Sequence, residues 1–272
     1  MFFIFGFMLI LNPTYANTRP EKALLEAGIV AAAGSTSDYP ASDQIRPRFL
    51  PAPYIVYRGQ VLKSDDQQGT RLHMLDHQHF SADMSFGGSF PAEGNHARQG
   101  MPDLDWTFEI GPRLLYYFAK DERKTVRLGL PLRAAFTTDF NTTRHIGYTL
   151  APTFQVDWYD LPIPDLSLYF ISTATFLTRG QAGYFYDVDA RYATPERPTY
   201  HAREGYLGYD LSLAFKFSSA TSRFLLVGGT RYADYGGSVN VSGPLHRKSN
   251  EWIYFAAIGF MLFESEAREI IY

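Results

Sequence analysis

The 272-residue chain contains no cysteine. That removes disulfide scaffolds, thiolate metal sites and cysteine nucleophiles. It also lacks a basic excess. Lys and Arg number 25 against 28 Asp and Glu, a formal charge of −3. This is not the footprint of a nucleic-acid binder, and no nucleic-acid partner is expected. Past residue 11 no apolar run approaches the roughly 20 residues of a membrane-crossing helix. The aromatic poverty of disordered chains is missing too, since aromatics make up 16%, with 22 Phe and 19 Tyr. Yet mean hydropathy is only −0.19. A chain so aromatic without being uniformly apolar points to β structure in which apolar and polar residues alternate.

Residues Phe2 to Leu11 read FFIFGFMLIL, too short to span a bilayer as a helix and suited to the core of a signal peptide. Asn12 and Pro13 break the run, and Ala16 follows at a small-residue cleavage site. The expected organisation is a signal peptide over 1–16, a barrel domain over 17–263 and a tail over 264–272.

Period-two alternation dominates the rest. Leu207, Tyr209, Leu211, Leu213, Phe215 and Phe217 fall on one face, and Gly208, Asp210, Ser212, Ala214 and Lys216 on the other. About ten such segments are predicted: 24–36, 50–64, 78–90, 105–119, 124–138, 145–160, 166–179, 205–217, 222–235 and 250–263. Strands of soluble proteins cluster near five or six residues, whereas strands that cross a bilayer need roughly 9–11 in the hydrocarbon alone. Tight connections at 120–123, 161–165 and 218–221 alternate with long ones at 37–49, 91–104, 180–204 and 236–249, the pattern of an outer-membrane barrel. Trp106 and Trp252 open their segments and Trp158 closes its own, as interfacial aromatic girdles do. The predicted fold is therefore all-β, an antiparallel up-and-down transmembrane β-barrel of about ten strands. Segment 181–193 is assigned to a loop or plug; its reading as a further strand leaves twelve open. A soluble sandwich or lipocalin-like barrel is the competing architecture, because alternation does not say which face is inside.

If the apolar face meets lipid, the lumen holds Glu26, Asp83, Glu109, Asp157, Asp210 and Glu251 with Arg113, Arg127, Arg133, Lys216 and Arg231. Acids and bases nearly balance, which suits structural pairing in a narrow lumen; a small polar channel is the alternative. Loop 180–204 concentrates Tyr184, Tyr186, Arg191, Arg197, Tyr200 and Arg203, types that interfaces favour. These are candidates for an interaction loop or for packing over the barrel itself. His73, Asp76, His77 and His79 have metal-ligand types, but in a turn they read as solvated; no metal or cofactor is expected. His145 and His201 have no G-x-S-x-G nucleophile to serve, and no catalytic residue is assigned.

Several stretches resemble one family. Leu50 to Gly59 (LPAPYIVYRG) is similar to its second strand, and Ser85 to Pro91 (SFGGSFP) to its glycine-rich third. Gly100 to Asp105 (GMPDLD), followed by Phe108 to Pro112 (FEIGP), resembles its fourth-strand entry. Tyr192 to Pro198 (YATPERP) with Gly205-Tyr206 resembles its long late loop. The family is the MltA-interacting protein/OmpV family of Gram-negative outer-membrane proteins. The resemblance implies a non-enzymatic outer-membrane barrel in contact with lipid. In one branch it implies a scaffold joining a murein hydrolase, a lytic transglycosylase, to a bifunctional penicillin-binding protein. In another it implies a surface antigen or adhesin.

Overall fold

The computed structural model describes residues 21–270 apart from 24, 58–61, 66–68, 73–74, 78, 162, 220–222 and 267. The signal-peptide segment 1–16 and His73 lie outside the described residues. Ten long strands follow one another: β1 (Leu25–Ser37), β2 (Ile45–Tyr57), β3 (Phe80–Ser89), β4 (Trp106–Lys120), β5 (Lys124–Thr138), β6 (Thr143–Leu150 and Thr153–Trp158), β7 (Leu166–Leu177), β8 (Gly205–Ser219), β9 (Phe224–Asp234) and β10 (Asn250–Glu264). All neighbouring pairs are antiparallel, in the sheet order β2-β1-β10-β9-β8-β7-β6-β5-β4-β3, and the short strand Leu75–His77 pairs with the start of β3 at that end of the sheet. β1 pairs with β10, so the first and last long strands are neighbours. Outside this sheet, Glu21–Ala23 pairs with Arg268–Ile270 in the tail, and Leu62–Asp65 pairs with Gly69–Leu72.

The side chains settle which face is inside. Along β8, Leu211, Leu213 and Phe215 are exposed, while Asp210, Ala214 and Lys216 are buried. Exposed Ile29, Phe49, Phe80, Leu114, Leu128, Leu132, Ile258 and Phe260 extend the apolar exterior around the other strands. A continuous apolar exterior over a charged interior is the inverse of a soluble β fold and is what a lipid solvent demands. The fold is an outer-membrane-type β-barrel. Aromatic rings gather at both margins: Phe90, Trp106 and Phe140 on the long-loop side, Phe80, Tyr116 and Phe118 on the tight-turn side.

Three segments depart from the alternation. The second strand spans 45–57, not 50–64, because Arg46-Pro47-Arg48 reads as loop until β1 is beside it as a partner. β6 breaks at Ala151-Pro152, where proline has no N–H for the ladder. The connection after β7 contains a helix, α1 (Arg179–Tyr186), and a 3-10 turn at Ala190–Tyr192, so 181–193 is not a further strand.

Candidate functional site

The lumen is crossed by ion pairs between neighbouring strands. Asp83 faces Arg113 directly across β3 and β4, and the guanidinium donates to both carboxylate oxygens at 2.9 and 2.7 Å. The other pairs are diagonal. Arg133 sits two residues from Ala135, which is opposite Glu109, and its Nε donates to Glu109 Oε2 at 2.9 Å. Arg127 reaches Asp157 at 3.2 Å across β5 and β6. Arg231 reaches Asp210 at 3.0 Å across β8 and β9. Diagonal neighbours on one face lie within reach of long side chains. Lys216 is fully buried. Glu26 is buried at the start of β1, and Glu251 is buried and accepts from the Tyr235 hydroxyl at 2.9 Å. Ten of these eleven charged residues are buried and Arg113 is half-buried, and eight of the eleven stand in the four ion pairs.

The wall is not uniformly charged. On β1, β9 and β10 an apolar stripe of Val30, Leu225, Val227 and Ala257 faces inward, flanked by Ala32, Ala52 and Phe255.

The long-loop end is closed by a packed cap. Tyr39, Phe185, Tyr186, Val188, Leu207, Tyr235 and Leu245 form its core. Tyr186 donates to the Pro40 carbonyl at 2.8 Å and meets the Tyr39 ring edge-on at 6.3 Å. Buried Arg98 donates to the Phe185 carbonyl at 2.9 Å. Burial pushes the Tyr39 hydroxyl up to about 12, partly offset by the nearby Arg98 charge. Burial likewise raises Tyr186 and Tyr235 well above the ordinary tyrosine range.

Helix α1 joins cap to lumen. Gln181 Nε2 donates to Glu109 Oε1 at 2.7 Å, and the Thr149 hydroxyl lies 2.7 Å from Gln181 Oε1 and 2.9 Å from Glu109 Oε1. The close approach depends on Gly147, whose φ of +141 accompanies a register shift in β6. A Cβ there would stand 2.4 Å from Thr178 Oγ1.

The interaction-loop candidates are largely spent inside this cap. Tyr184 bonds Thr137 at 2.9 Å, and Tyr200 bonds Asn240 at 3.2 Å. Arg197 donates to the carbonyls of Ala97, Gln99 and Tyr192, and Arg203 to that of Val239. Arg191 stays exposed, over the Tyr192 ring. What the residue types did not reveal is the role of Asp38, a buried hub that accepts from Arg46 at 2.7 Å and from Asn95 at 2.8 Å. Of the histidine cluster, the described His79 ring stacks on Tyr116. Among the described residues no group of three His, Asp or Glu is placed to hold a metal.

A family model described as MltA-interacting protein MipA matches residues 29–262. The chain belongs to this MipA family. The match starts four residues into β1 and stops two residues before the end of β10, and so takes in nearly all of the barrel with its cap. Among solved structures, a bacterial polysaccharide outer membrane secretin is similar at 8% identity and a TM-score of 0.43, over 90% of this chain and 100% of that one. The NanC porin is similar at 8% identity and 0.42, over 86% and 100%. The Ralstonia pickettii toluene transporter TbuX is similar at 10% identity and 0.33, over 90% of each chain. Among curated proteins, none matches this MipA-family chain.

Proposed function

We propose that this MipA-family barrel is a non-enzymatic scaffold of the outer membrane that offers surfaces to peptidoglycan-remodelling enzymes. The observation that carries the reading is the packed cap over the long-loop end of the barrel. Cross-strand ion pairs bridge neighbouring strands of the inner wall, and the Gln181–Glu109 contact ties the cap to that wall. A barrel capped in this way suits holding partners more than passing solutes. By the outer-membrane pattern the tight turns at Asp121–Arg123 and Asp160–Asp165 are periplasmic, on the side where a murein hydrolase and a penicillin-binding protein act. The family's name supplies the partner class: a lytic transglycosylase of the MltA kind. Affinity capture of the full chain from detergent extract, with and without charge reversal in the two turns, tests this. Enrichment of a cell-wall hydrolase that falls on turn reversal is expected, and no enrichment with intact turns overturns it.

A narrow channel for small polar solutes is the second reading. It is favoured by Arg231 Nη1 and Glu251 Oε2, two buried polar atoms of the inner wall that have no hydrogen-bond partner among the described residues. Steady conductance of the intact chain in a planar bilayer is the result it requires. A surface antigen or adhesin would use the exposed rim of the cap at Arg191.

A further inference from the structure

One tight turn is unlike its neighbours. The turns at 120–123 and 218–223 read KDER and SSATSR and contain no large apolar residue. The turn between β6 and β7 reads DLPIPD over 160–165, with Leu161 36% and Ile163 53% exposed. Exposed apolar side chains are ordinary on the lipid-facing belt, but these two lie past its edge. Trp158 closes β6 and stands opposite Leu168 in the ladder. Leu161 comes three residues later, roughly 10 Å further along the strand at ~3.4 Å per residue. Indole rings sit at the boundary between membrane and water, so the turn stands in water on the tight-turn side.

The turn is also braced. Leu161 N donates to the Leu166 carbonyl at 3.1 Å, and Leu166 N to the Ile163 carbonyl at 3.3 Å. Asp165 N donates to Asp160 Oδ1 at 2.9 Å. Both aspartates take left-handed backbone, with φ of +54 and +65, which Asp tolerates better than most residues. The adjacent turns hold it from either side. Tyr159 N donates to the Arg123 carbonyl at 2.9 Å, and Ser218 N to the Asp165 carbonyl at 3.1 Å. The sequence puts a proline on each side of Ile163, which narrows the conformations open to the chain. Little ordering entropy is then left to lose on docking. Among the described residues neither Asp160 nor Asp165 is held in an ion pair.

We propose that Leu161 and Ile163 form an apolar docking knob for a periplasmic protein whose matching pocket is apolar and rimmed by lysine or arginine. The inference rests on the scaffold reading above and names the contact that reading requires. Protein interfaces combine an apolar centre with a polar rim, and exposed apolar patches with polar borders mark such sites. Here the centre is the two aliphatic side chains. The rim is Asp160 and Asp165, whose charges set the sign of the partner's rim. Two side chains make a small contact, which suits a partner that comes and goes. The bilayer is the poorer occupant, because the knob lies beyond Trp158 and its flanking carboxylates would meet lipid phosphates of the same charge.

The test is a titration of the full-length protein in phospholipid nanodiscs with a purified lytic transglycosylase of the MltA kind from the same cells. Leu161→Ser with Ile163→Ser is expected to weaken binding at least tenfold while heat-modifiable gel migration persists. Leu161→Met with Ile163→Leu is expected to keep it. Added salt is expected to weaken wild-type binding, and to do so less after Asp160→Asn with Asp165→Asn; an equal salt response would overturn the basic rim. Full affinity in the serine variant overturns the knob and leaves the scaffold reading standing. No binding by the wild type overturns the scaffold reading together with the knob. The chain has no cysteine, so Leu161→Cys takes a single spin label. A label shielded from a water-soluble relaxation agent and open to oxygen would place the turn in the bilayer and overturn the proposal by itself.

Discussion

Gln181, on a helix between β7 and β8, donates its amide N–H to Glu109 in the barrel wall at 2.7 Å. The contact couples a loop to the lumen across 72 residues of sequence. It also completes the acceptor set of a carboxylate whose other oxygen is held by Arg133. Loosening either partner therefore loosens both the cap and the wall.

Glu109→Ala removes the carboxylate that accepts from Arg133 Nε and leaves the buried guanidinium with one charged partner fewer. A loss of about 3–5 kcal/mol is expected, the usual penalty for breaking a buried pair from one side. Glu109→Gln keeps the shape and part of the hydrogen bonding and loses less. Urea unfolding in detergent micelles, followed by the gel shift between folded and unfolded forms, ranks the two. Equal midpoints for wild type and Glu109→Ala would show that the pair adds nothing.

Among the lumen pairs described above, Asp83 and Arg113 form the directly opposed one. Asp83→Leu alone is expected to destabilise strongly. Asp83→Leu with Arg113→Met is expected to recover most of the loss, because a matched apolar pair escapes the desolvation penalty of two buried ions. A double-mutant cycle measures the coupling, and additive single effects would refute it.

Gly147→Ala introduces a Cβ at a φ of +141 and only 2.4 Å from Thr178 Oγ1. A cost of roughly 1–3 kcal/mol is expected from the backbone alone, with α1 pushed off the wall. Faster proteolysis within 178–204 at unchanged barrel migration is the predicted signature. A protease pattern identical to wild type would show that the helix does not depend on this glycine.

Tyr39 supplies a pH dependence. Its hydroxyl rises from 10.0 to about 12 through burial in the cap. The folded state therefore holds this proton more tightly than the unfolded state. Its contribution is complete below pH 10 and is lost as pH rises from about 10 towards 12. Near-UV absorbance of the cap tyrosines during alkaline titration should show a late step that Tyr39→Phe diminishes. An unchanged titration in that variant would assign the step elsewhere.

Much of the wall was legible because a strand in a barrel obeys a local rule. Side chains alternate, so Leu211, Leu213 and Phe215 separate from Asp210 and Lys216 without knowledge of any neighbour. The same rule misread the start of β2. Arg46, Pro47 and Arg48 look like a loop, and only β1 alongside makes them a strand. It was silent on α1. That helix is too short to establish a clear 3.6-residue period, and its position is set by Gly147 and Glu109 rather than by its own sequence.

By itself the amino-acid sequence determined the alternation, the long strands with their tight turns, and a near-balanced set of charges opposite an apolar face. These follow from chain geometry and composition, which are local. Tertiary structure alone decided that the apolar face is outside, that Arg133 meets Glu109 while Arg127 meets Asp157, and that the tyrosine- and arginine-rich loop is mostly spent in a cap. The reason is register: which residues face one another depends on how strands slide and which edges lie side by side, and contacts between distant segments fix that only once the sheet has curled.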